Sequence, residues 1–143
     1  MTALGACLFL HWLLARFMPS PWWVPNLTLA GLILAVVRRP GQWLLLALAA
    51  GFFASIWTVR ASGGVIFEYL LLGWCVHLIA RRWDVSDPRM QCWLVGVAAF
   101  GFTLATIWIE AIRALPVFWP ALGHAALTCA MIPMVSRLMA ELA

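Results

Sequence analysis

The chain reads as an all-α integral membrane protein, with about six transmembrane helices in a compact bundle and both termini cytoplasmic. Three observations predict this. Of 143 residues, 66% are hydrophobic and only 10% charged, with a mean hydropathy of +1.00. A soluble domain of this size needs about a quarter of its residues charged to cover its surface. The apolar residues fall into runs separated by clusters of proline, glycine and arginine. Finally, all nine basic residues are arginines, set singly or in pairs at the ends of those runs. Against five acids they give a net charge of +4. In a soluble chain that balance would suggest nucleic acid. Here it reads as orientation in lipid, and no nucleic-acid partner is expected.

A single polytopic domain, 1–143, is predicted. The first span, 3–18, contains His11 and closes on Arg16. In the next segment Pro19, Pro21 and Pro25 forbid a continuous helix, and Trp22 and Trp23 suit a lipid–water boundary. The second span, 22–37, ends abruptly at Arg38-Arg39-Pro40-Gly41. The third and fourth spans, 42–59 and 65–80, flank a tight turn, Arg60-Ala61-Ser62-Gly63-Gly64. The two glycines of this turn tolerate backbone angles that other residues resist. This hairpin is the expected centre of the molecule.

The polar stretch 81–89 reads as a water-exposed loop, with Asp84 and Asp87 as surface residues. The fifth span, 90–112, is broken by Ala114-Leu115-Pro116, and the sixth is 117–136. Several runs fall short of the ~20 residues of a straight crossing, so tryptophans such as Trp43, Trp74 and Trp83 are expected to anchor short spans. The alternative is five spans with a re-entrant second segment. Arg38, Arg39, Arg81, Arg82, Arg89 and Arg137 fall on one side of this topology. Only Arg16, Arg60 and Arg113 fall on the other, which puts both termini in the cytoplasm.

Two residue groups stand out as candidate binding surfaces. Ala47, Gly51 and Ser55 recur every four residues on one helix face, a ridge that lets another helix approach closely. Arg16, Arg60, Glu68, Glu110 and Arg113 gather near the outer helix ends. Glu110 and Arg113 are spaced to pair, and Arg60 and Glu68 flank the glycine turn. Charges inside apolar runs are costly unless paired or wet. The group therefore forms either an outward polar pocket for a ligand or partner helix, or a set of interfacial ion pairs. His11, His77 and His124 lie on three different spans. A haem or chlorin ligand role for His11 or His124 is one reading, helix packing the other. Cys7, Cys75, Cys92 and Cys129 have no metal-ligand spacing and read as small buried hydrophobes; no metal site or cofactor is assigned. No nucleophile, zinc-peptidase or phosphate-loop motif is present in the sequence, and no catalytic residue is assigned.

These residues resemble MreD, the small polytopic inner-membrane subunit of the bacterial rod-shape system. Pro25-Asn26-Leu27 is similar to the family's element after the first span. Arg38-Arg39-Pro40-Gly41 followed by Gly51 resembles its basic turn into a glycine-bearing third span. Ser62-Gly63-Gly64 with Tyr69 resembles its outer turn. Where such proteins often carry an aspartate four residues after the third-span glycine, this chain has Ser55. The resemblance implies a fold similar to the substrate-binding S-components of vitamin transporters. It also implies a non-catalytic scaffold for cell shape and peptidoglycan elongation, which binds a single-span MreC-like protein and other elongasome components. Arg60 and Glu68, and the Ala47/Gly51/Ser55 ridge, would then meet a partner or ligand. Two rivals remain open: a small-molecule-binding S-component, and an accessory subunit of a respiratory or photosynthetic complex. The S-component's usual Ala-x-x-x-Ala face is not formed by Ala3, Ala6 and Ala15.

Overall fold

The computed structural model describes residues 2–18, 24–56, 62–85, 87–109 and 118–141, all helical apart from short connections. Among them are α1 (Thr2–Phe17), α2 (Leu27–Arg38), α3 (Trp43–Ile56), α4 (Ser62–Arg82), α5 (Pro88–Ile109), α6 (Phe118–Ala130) and α7 (Ile132–Glu141). One 3₁₀ turn, Pro40–Gln42, joins α2 to α3. Among the described residues, two helical stretches are long and apolar enough to cross a membrane, Gly63–Arg82 and Trp119–Glu141. A third crossing results if Leu27–Arg38 and Pro40–Ile56, bent by 120°, count as one. Leu44, Leu45, Leu48, Phe52, Phe53 and Ile56 stand exposed along α3. An apolar surface of this extent suits a lipid surround.

The organising element is α2 rather than the α3–α4 hairpin. α2 packs on α1, α3, α4, α5, α6 and α7, and nine of its twelve residues are buried. At 1.5 Å per residue it is about 18 Å long, too short to cross a ~30 Å hydrocarbon layer alone. Its all-round apolarity fits a helix with no face in water, and here the other helices supply the surround. Close approach to α1 depends on Gly31, where a Cβ would lie 3.0 Å from Cys7 Cβ.

α3 and α4 form the most extensive helix pair, and small residues make it. A Cβ at Gly51 would sit 2.9 Å from Ile66 Cα, and one at Gly73 would sit 2.7 Å from Ala47 Cβ. Farther along the same antiparallel seam, the Trp43 and His77 rings stack at 5.6 Å.

Several element ends differ from expectation. α2 starts at Leu27 rather than 22, because Asn26 caps it. Ser62, Gly63 and Gly64 belong to the first turn of α4, and neither glycine adopts a left-handed backbone. Of the expected turn, Arg60 and Ala61 lie outside the described residues. Arg81 and Arg82 extend α4, while Asp87 accepts the Arg89 N–H at 2.9 Å and opens α5 ahead of Pro88. The last helix is broken at Met131, whose N–H is shared between the carbonyls of Leu127 and Thr128, both at 3.3 Å. Pro133 accounts for the break, since its ring removes a donor and crowds the carbonyl four residues earlier.

The glycine seam yields the first prediction. Gly51→Leu sets a side chain against the Ile66 backbone and should lower unfolding stability by about 1–3 kcal/mol, as overpacked sites do. Gly101→Ala, with nothing within 4 Å, should leave stability unchanged or raise it by up to ~1 kcal/mol. Unfolding midpoints in detergent compare the two.

Candidate functional site

A cavity of about 380 Å³ lies at the end of the bundle where α1 and α3 finish and α2 and α4 begin. One wall is a face of α1: Leu8, His11, Trp12, Ala15 and Arg16, the three-and-four spacing of a single helix side. Asn26 and Thr28 contribute from the start of α2, Ala54 from α3, Val65, Glu68 and Tyr69 from α4, and Phe102 from α5. Five helices therefore converge on one space.

Asn26, in its lining, is the centre of a hydrogen-bond network. The Asn26 side chain accepts the Leu29 N–H at 3.0 Å, capping α2. Its backbone N–H donates to Thr128 Oγ1 at 3.1 Å. The Thr128 hydroxyl in turn donates to the His124 carbonyl at 2.8 Å. The Tyr69 hydroxyl hydrogen-bonds the Asn26 side chain, and the Tyr69 ring meets Phe102 edge-on with centroids 5.4 Å apart. His11 Nδ1 lies 3.1 Å from the Pro25 carbonyl. A carbonyl only accepts, so Nδ1 carries the hydrogen and Nε2 of the neutral ring is an acceptor.

Of the charged group expected at this end, Arg16 and Glu68 line the cavity. Arg60, Glu110 and Arg113 lie outside the described residues, and so do the pairings Arg60–Glu68 and Glu110–Arg113. The Ala47/Gly51/Ser55 ridge is buried, and the helix seated on Ala47 and Gly51 is the chain's own α4. Ser55 Oγ donates to the Phe52 carbonyl at 2.7 Å within α3. The cavity takes Ala54 from that helix instead. His77 belongs to the opposite end, stacked on Trp43. Among the described residues, no three His, Cys, Asp or Glu side chains gather as metal ligands, and the four cysteines are free thiols.

The sequence reading did not single out Asn26, Thr28, Tyr69, Trp12 or Phe102 as site residues. A signal was present for two of them. Asn and Thr inside or beside an apolar run have to be satisfied by partners, and Asn immediately before such a run reads as a helix cap.

A second concavity, about 480 Å³ and almost wholly apolar, runs between α5 and α6. It is lined by Cys92, Trp93, Gly96, Val97, Phe100, Leu122, Ala125, Ala126 and Cys129. The Cys129 thiol donates to the Cys92 carbonyl across this seam at 3.3 Å.

Compared with protein-family models, curated proteins and solved structures, the chain matches none.

The network around Asn26 is testable through stability. Thr128→Val strands the Asn26 N–H in the interior and should cost about 1–3 kcal/mol, with Thr128→Ser restoring most of it. Asn26→Ala removes the cap and should cost about 0.5–2 kcal/mol. Because both act on one network, the double variant should lose less than the sum, which a double-mutant cycle of unfolding free energies measures.

Proposed function

We propose that the chain is a non-catalytic scaffold of the MreD-like kind. In this reading it belongs to a bacterial cell-shape and peptidoglycan-elongation complex and holds a single-span MreC-like partner in the inner membrane. Six apolar segments form the membrane bundle, α2 being carried inside it, with α6 and α7 making the last crossing. Arg38, Arg39, Arg81, Arg82, Arg89 and Arg137 face the cytoplasm together with both termini. The subunit acts by holding rather than by chemistry.

The observation that supports this reading best is the groove between α5 and α6. Gly96, Ala125, Ala126 and Cys129 are small, while Trp93 and Val97 stand 72% and 63% exposed beside them. Helices associate in lipid through close packing over small residues rather than through burial from water. A groove with little side-chain bulk and apolar flanks therefore suits one docked apolar helix. The Ala47/Gly51/Ser55 ridge, with α4 already seated on Ala47 and Gly51, is not offered as that surface.

Affinity purification in mild detergent with mass spectrometry tests the proposal. The unmodified chain should recover a single-span, coiled-coil protein. Ala126→Trp, which fills the groove at an exposed position, should reduce recovery about tenfold while the unfolding midpoint stays unchanged. Recovery of phospholipid alone, or an unaltered complex with Ala126→Trp, would count against it.

A further inference from the structure

The cavity between α1 and α4 carries an inference independent of the scaffold reading. We infer that it binds a small zwitterion, an organic ammonium joined to a carboxylate or phosphate. At about 380 Å³ the space suits a small molecule or a single headgroup, and it excludes a folded segment. Among the described residues its wall presents one fixed cation, Arg16 on α1, and one acid, Glu68 on α4. A guanidinium offers a planar fork of donors that matches a carboxylate or phosphate. A carboxylate attracts an organic cation by its charge, whether or not one of its oxygens already accepts a hydrogen bond from a neighbour.

Three aromatic residues line the same space: Trp12, Tyr69 and Phe102. Aromatic rings attract organic cations through their quadrupoles, most strongly where water is excluded. An ion of one sign would answer only one of the two charges. A zwitterion answers both. Such a ligand arrives either as a free solute or as the headgroup of a zwitterionic phospholipid, and the chemistry of recognition is shared.

The test uses the full-length chain in detergent. Glycine betaine and phosphocholine are titrated calorimetrically, with tetramethylammonium and acetate as single-charge controls. Native mass spectrometry compares retained phosphatidylcholine with phosphatidylglycerol. The zwitterions should bind at least about tenfold more tightly than either control. Tetramethylammonium lacks the hydrogen-bonded contact to Arg16, and acetate lacks the cation held by charge and aromatic faces, each worth about that factor. If the ligand is a headgroup, phosphatidylcholine is retained and soluble phosphocholine displaces it. If it is a solute, the soluble probes bind and no lipid is selected.

Arg16→Gln and Glu68→Gln should each weaken binding about ten- to a hundredfold. Ala54→Phe, which fills the cavity and leaves both charges in place, should abolish it, with circular dichroism and melting confirming the fold of each variant. Should Glu68→Gln fail to fold, Ala54→Phe and Arg16→Gln decide. Equal affinity for a single-charge ion, binding that survives Ala54→Phe, or no binding of any zwitterion or phosphatidylcholine would overturn the inference.

Discussion

The rest of the structure depends on how the amino end of α2 is satisfied. The first turns of any helix leave N–H groups without intrahelical partners. At the surface of a soluble protein, water takes them. Here Leu27, Thr28, Leu29 and Ala30 are buried, and in an apolar surround an unsatisfied backbone group costs several kcal/mol. The chain answers with Asn26, whose side chain takes the Leu29 N–H and whose own N–H goes to Thr128. One residue thus ties α2 to α6, and through Tyr69 to α4. The cavity exists where these commitments meet.

The opposite end of α2 uses charge rather than a cap. Arg38 Nη2 reaches across to Ser136, donating to its carbonyl at 3.0 Å and its hydroxyl at 3.1 Å, while the Arg39 N–H closes the last turn on Ala35. The arginine-rich end thus has a packing role, because it pins α7 to the hub. Between the two ends, packing rather than hydrogen bonding holds the bundle, through backbone approach at Gly31, Gly51 and Gly73. Each such contact is weak, but a dense interior sums many of them.

The reading of residues alone recovered the helical class and the stop at Arg38-Arg39-Pro40-Gly41, both of which follow from local chemistry. It also recovered the close-packing character of Ala47 and Gly51, because small residues at fixed spacing have few other uses in an apolar helix. It put the centre in the wrong place. Lipid and protein interior are both apolar, so a run such as 27–38 carries no periodic signal saying which one surrounds it. Arg16 and Glu68 were legible as charges out of place. Their cavity companions were not, because Tyr69, Phe102 and Trp12 are ordinary membrane residues until three helices bring them together. The Asn26–Thr128 bond spans 102 residues of chain, and no local pattern announces a contact at that distance.

That separation has a consequence for how the protein is made. α2 leaves the ribosome roughly a hundred residues ahead of Thr128 and Ser136, the groups that complete both of its ends. Until the final helix is synthesised, the hub is a short apolar segment with an unfinished environment. In the finished bundle its two ends are completed by groups of α6 and α7. The hub, made early, thus depends for both of its ends on helices made last.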